Sequence, residues 1–163
     1  MKRSKKTVKI ASLLTEDMII PDLLSQEREA VLGEVVAYLK RAEKVVKDKE
    51  LFEKLIQREK LGSTAIGGGI AIPHCKVKEV KSPLVALALS KKGVAFEAAD
   101  GKPAHVFFVV ISSPDNPSQN LQILAAIAHL VRKSASLPKK ILGAKSPGKI
   151  LEFIREEEEK LSE

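Results

Sequence analysis

The residues best equipped for chemistry are gathered in Gly62-Ser63-Thr64-Ala65-Ile66-Gly67-Gly68-Gly69-Ile70-Ala71-Ile72-Pro73-His74-Cys75-Lys76. Three consecutive glycines let the backbone take positive φ and approach a ligand closely. Ile70, Ala71 and Ile72 are a short apolar run of the kind that enters a buried strand. Pro73 fixes its own φ and pushes Ile72 into an extended conformation, so the imidazole of His74 is delivered rigidly. It emerges where the apolar run gives way to the polar segment Lys76 to Lys81. A neutral imidazole nitrogen attacks phosphorus well when it is free and the other nitrogen is hydrogen-bonded, which fixes the tautomer. The reaction also needs donors around the phosphoryl oxygens. The hydroxyls of Ser63 and Thr64, and N–H groups of the glycine turn including Gly69, are at hand for that. His74 is therefore read as a nucleophile that accepts a phosphoryl group. The bland alternative is a strand-end histidine without a role, with Ser63 and Thr64 as turn or helix-capping residues.

Other chemistries fit the same stretch less well. Cys75 beside His74 invites a Cys–His or metal reading, but adjacent residues project apart and the chain holds no second thiol. No metal and no cofactor is expected. The glycine triplet is not a nucleotide-binding P-loop, because no Gly-Lys-Ser/Thr follows it, and it lacks the dinucleotide spacing. His105 opens an apolar strand and His129 lies in an amphipathic helix, so both read as structural.

Elements on either side must position this stretch. Ile10 to Leu14 reads as a short apolar turn, and Met18 to Ile20 as a first strand ending at Pro21. One helix is expected from Ser25, with Ala30, Val31, Val35, Tyr38 and Leu39 at helical spacing. A second runs from Asp48 to Lys60, its buried face marked by Leu51, Phe52, Leu55 and Ile56. Beyond the glycines, Pro83 to Ser90, Gly93 to Phe96 and His105 to Ile111 read as three strands. Asp100-Gly101-Lys102-Pro103 is a turn between the last two. A helix from Ser118 carries a stripe of Leu121, Leu124, Ala125, Ala128 and Val131, and shorter helices cover Leu137 to Leu142 and Pro147 to Glu159. The closing run Glu156 to Glu159 reads as a solvated face. Helices flanking a block of strands give an α/β fold, a single domain with a central mixed β-sheet.

Composition narrows the function classes. The 28 Lys and Arg against 21 Asp and Glu leave a net charge of +7, much of it in a basic tail over residues 1–9 ahead of one domain over 10–163. Aromatics are only 4%, too few for the basic-and-aromatic surfaces that bind nucleic acid, so no nucleic-acid partner is expected. One cysteine excludes an intramolecular disulfide and suits a reducing cytoplasm. No apolar run approaches the roughly 20 residues that span a bilayer, so no membrane insertion is expected. Lys9, Glu16 and Asp17 break the apolar core that a secretory signal would need.

Arg58-Glu59-Lys60-Leu61-Gly62-Ser63-Thr64, the run Gly67 to His74 and the segment Phe96 to Pro103 resemble the fructose–mannitol class of enzyme IIA. These are phosphocarriers of the bacterial phosphoenolpyruvate-dependent phosphotransferase system. The resemblance extends from about Ile10 to about Glu156 and is closest to the nitrogen-regulatory branch. It implies that His74 is phosphorylated by HPr or an HPr-like carrier, and that Arg58 neutralises the phosphoryl group. It further implies a recipient, either a IIB domain or a regulatory protein target. Many members carry a second active-site histidine where this chain has Asn120. Gly68 and Cys75 stand where Asn and Gly are common in the family. The resemblance thus supports a phosphohistidine carrier, or alternatively a regulatory binding module with slow or no phosphoryl turnover.

Overall fold

A computed structural model describes residues 8–162 of the chain. In order, the elements are α1 (Ile10–Leu13), a 3-10 turn (Glu16–Met18), β1 (Ile19–Ile20), α2 (Arg28–Arg41) and α3 (Asp48–Leu61). There follow β2 (Ala65–Gly67), β3 (Ile70–Ala71), β4 (His74–Lys76), β5 (Leu84–Val94) and β6 (Ala104–Ser112). The helices α4 (Pro117–Lys133), α5 (Leu137–Gly143) and α6 (Pro147–Ser162) complete the chain. The basic tail falls largely outside the described residues. Of its nine positions, Val8 packs against the core and Lys9 Nζ reaches the Glu158 carbonyl at 3.5 Å.

The strands form a six-stranded mixed sheet in the order β1-β5-β6-β3-β2, with β4 also paired to β6. At its centre β5 and β6 run antiparallel, whereas β1 joins β5 and both β3 and β4 join β6 in parallel. The near-continuous apolar run of β6 suits a strand covered on both faces, and Val106 to Ile111 are each at most 1% exposed. Phe96 packs edge-to-face on Phe107, ring centroids 5.2 Å apart, a favoured aromatic geometry. No helix among the described residues is long and apolar enough to cross a membrane.

Four local expectations are corrected. Pro83–Ser90 and Gly93–Phe96 are not two strands. β5 runs through both to Val94 with a register shift after Leu89, and Gly93 at φ 91° absorbs the irregularity. A Cβ there would lie 2.9 Å from His105 Cε1, so only glycine leaves room for that ring. The buried stripe of α4 is rotated from the expected one: Ile123, Ile127 and Leu130 are at most 2% exposed, whereas Leu121 is 65% exposed. Nine of the thirteen α4 positions past Asn120 are apolar, so periodicity allowed two stripes, and the one carrying Ile123, Ile127 and Leu130 packs inward. Ser25 does not open α2, which starts at Arg28, because the Glu34 carboxylate takes the N–H groups of Leu24 and Ser25 at 2.9 Å.

Finally, Glu156 to Glu159 is not a uniformly solvated face. Glu158 is buried and accepts the Ile10 and Ala11 N–H groups at 2.6 and 2.9 Å, fastening α1 to α6. Glu157 pairs with Lys160 at 3.0 Å and Lys140 at 3.5 Å.

Candidate functional site

β3 and β4 lie along one line beside β6. Ile70 is opposite Val106 and His74 opposite Val110, so the same register resumes after the break at Ile72-Pro73. The break matters because it turns the Ile72 carbonyl toward the next ring. His74 Nδ1 is 2.8 Å from that oxygen. A carbonyl only accepts, so Nδ1 carries the proton and Nε2 keeps its lone pair. Facing Nε2 is Arg58, on the last turn of α3, whose Nε donates to it at 3.2 Å while Nη1 donates to the Gly62 carbonyl at 2.8 Å. His74 and Arg58 are thus brought together.

The electrostatics favour the reactive form of the ring. Burial lowers the His74 pKa first and most, and the positive charges of Arg58 and Lys76 lower it further, against the raising effect of the Ile72 bond. The imidazole is therefore neutral at neutral pH, as a nucleophile must be.

The other candidates are placed differently. The Ser63 hydroxyl donates to the Phe96 carbonyl and accepts the Ala65 N–H at 3.1 Å. Thr64 is buried, with its hydroxyl on the Glu59 carboxylate and its N–H 3.2 Å from the same group. Both hydroxyls are therefore already engaged, that of Ser63 across to the segment after β5 and that of Thr64 back to α3.

Gly69 stands at the far end of the strand line. Its carbonyl accepts from the His105 and Val106 N–H groups, whereas the Pro73 carbonyl accepts from Val110. Those four residues of β6 separate the two by roughly 13 Å. The turn's own anion is Asp100, which accepts the Gly68 N–H at 3.0 Å and the Lys102 N–H at 3.1 Å. The first of these bonds, then the second, hold its carboxyl below the usual range. The glycine triplet is a hairpin between β2 and β3 closed by Asp100, not a cradle beside His74.

Asn120 is buried and its side-chain oxygen accepts the Ser112 hydroxyl at 2.9 Å. Ser112 pairs with Lys76 as Val110 pairs with His74, so all four side chains share one face of the sheet. Asn120 is consequently on the His74 face, two residues along, and makes no hydrogen bond to the ring among the described residues. Cys75 points to the other face; burial pushes its thiol up to about 12. Among the described residues no cluster of three His, Cys, Asp or Glu could hold a metal.

Sequence reasoning did not single out Glu59, which is 4% exposed, with burial raising its pKa above the usual carboxylate value. A signal was present: Glu59 falls four residues after Leu55 and three after Ile56, on the apolar stripe of α3. A charge on that stripe marks a buried, partnered group.

Residues 12–157 match the family described as "Phosphoenolpyruvate-dependent sugar phosphotransferase system, EIIA 2". The chain belongs to this EIIA family. Membership makes it a component of the phosphotransferase system. A fructose-specific EIIABC component of Bacillus subtilis is 35% identical over 149 residues, 91% of this EIIA chain and 23% of that protein. The chain therefore spans about a quarter of that relative. A nitrogen regulatory protein of Bradyrhizobium diazoefficiens is 35% identical over 124 residues, 76% of this chain and 80% of that one. Among solved structures, the nitrogen regulatory protein IIA-Ntr of Neisseria meningitidis superposes with a TM-score of 0.81 at 28% identity, covering 89% of this chain and 98% of its own.

Proposed function

We propose that the protein is a phosphohistidine carrier: His74 accepts a phosphoryl group from an HPr-like protein in the cytoplasm and passes it to a IIB domain, or signals through it. One observation carries this reading: the opposite use of the two ring nitrogens, Nδ1–H on the Ile72 carbonyl and Nε2 facing Arg58. The Nε2 lone pair attacks phosphorus of the donor's phosphohistidine; the donor's N–P bond breaks and its electron pair stays on the donor imidazole. The His74 ring then bears phosphate on Nε2 and still holds its Nδ1 proton, so it gains positive charge that the Ile72 carbonyl stabilises. Arg58 transfers its donors from Nε2 to the phosphoryl oxygens, a planar fork suited to them.

The regulatory alternative, with slow turnover, draws support from the likeness to nitrogen regulatory proteins over most of both chains. The neutral Asn120 supports it too, since a slow carrier needs less charge at the transition state. Incubation with phosphoenolpyruvate, enzyme I and HPr is expected to give an acid-labile, base-stable phosphate on the wild type and none on His74→Ala. Label retained in that variant would overturn the assignment.

A further inference from the structure

The hydrogen bonds around His74 close into a ring that starts and ends on two consecutive residues of α3. From Arg58, Nε reaches His74 Nε2 at 3.2 Å. From Glu59, the carboxylate holds both the hydroxyl and the N–H of Thr64. The Thr64 carbonyl accepts the Ile72 N–H at 3.0 Å, and the Ile72 carbonyl holds His74 Nδ1 at 2.8 Å. Every group in this series of bonds is spoken for, so a shift at Thr64 is passed through one residue, Ile72, to the imidazole.

Glu59 is a costly choice if stability were its purpose. It is 4% exposed, and burying a carboxylate is unfavourable unless bonded. It also lies in the last turn of α3, where the helix dipole disfavours negative charge. What a carboxylate supplies in return is a strong two-point grip, since hydrogen bonds to a charged acceptor are about twice as strong as neutral ones. Gripping both the N–H and the O–H of Thr64 fixes its orientation as well as its position.

We propose that Glu59 and Thr64 form a positioning pair that holds the Ile72 carbonyl against His74 Nδ1 and so selects the tautomer with a free Nε2. The consequence for reactivity rests on the phosphoryl-acceptor reading of His74, but the positioning itself does not.

The test therefore begins on the unphosphorylated protein. ¹⁵N shifts of the His74 ring report which nitrogen holds the proton, and hydrogen exchange at the Ile72 amide reports the Thr64 link. Wild type and Thr64→Ser are expected to show a single Nδ1–H form and a protected Ile72 amide. Thr64→Val should show a tautomer mixture and faster Ile72 exchange. Glu59→Gln, which keeps shape and one acceptor, should shift both readouts the same way by less, and serves if Thr64→Val does not fold. A folded Thr64→Val or Glu59→Gln with wild-type tautomer and exchange overturns the proposal. Transfer from phospho-HPr is then measured separately and should slow by about 10-fold in Thr64→Val, less than the ~10²-fold that a 1 Å misplacement can cost. Failure of His74 to take phosphate, with the tautomer shift intact, would remove the acceptor reading and leave the positioning pair standing.

Discussion

Arg58 Nε and His74 Nε2 meet at 3.2 Å, so the guanidinium rests on the one lone pair that would attack phosphorus. As the ring stands, Arg58 covers Nε2 and opposes its protonation. On the proposed phosphoryl-acceptor reading, the same donors would turn to the phosphoryl oxygens, and one residue would serve the ring in both states.

Arg58→Ala should accordingly have two effects. Phosphate acceptance should fall on the order of 10²-fold, the usual loss for one transition-state donor. The His74 pKa, held below its ordinary 6.5 partly by Arg58, should rise, as read by NMR titration. A histidine whose folded pKa is depressed favours folding above its unfolded value, and this is lost as pH falls through the folded value. The variant should therefore lose less stability than wild type between neutral and mildly acidic pH. Unchanged transfer with lowered thermal stability would reduce Arg58 to a helix-end residue.

Asn120→His places a charge-capable ring on the His74 face in place of a neutral amide. The gain expected from a charge-assisted bond is about 1 kcal/mol, or several-fold in rate. Single-turnover transfer from phospho-HPr across roughly pH 6 to 8 should show the larger acceleration at the acidic end, where the added imidazole is more often protonated. A folded variant that is no faster at any pH would separate Asn120 from the phosphoryl site.

Cys75 should be inert in the native protein. With the thiol pushed up to about 12, its thiolate is roughly one part in 10⁵ at neutral pH. Iodoacetamide at neutral pH should leave it unmodified until denaturant is added. Rapid labelling of the folded chain would reopen a role for the thiol beside His74.

Asp100→Ala tests the separation of the glycine hairpin from the site. Without the carboxylate, the Gly68 amide should exchange faster with solvent. Phosphate acceptance on His74 should be unaltered. A parallel loss of transfer would mean that the hairpin and the ring are coupled.

The sequence was most legible where a residue leaves the backbone little choice. Pro73 after an apolar run placed His74, and the unbroken apolar segment up to Ile111 placed the central strand. It was least legible where the partner is remote in sequence. The amides of the glycine turn look available in the sequence; only folding brings in Asp100, 32 residues from Gly68, to occupy one. Glu59 lay on an apolar stripe, but its charge masked it as a surface residue until Thr64 was seen to partner it. In α4 apolar residues were so abundant that spacing could not choose between neighbouring faces.

The sheet also dictates an order of assembly. β5 and β6 are neighbours in sequence and pair antiparallel, joined by a short connection that closes at little entropic cost. The parallel partners β1, β3 and β4 must close far longer loops to reach them. Local pairings of this kind form early and distant ones late. The strand bearing His74 is therefore expected to dock late onto that hairpin, so that loosening it should hasten unfolding while leaving the folding rate almost untouched in stopped-flow measurements. His74, the phosphoryl acceptor proposed above, would then sit on one of the last pieces to arrive, and hydrogen exchange of the β4 amides should exceed that of the β5–β6 pair.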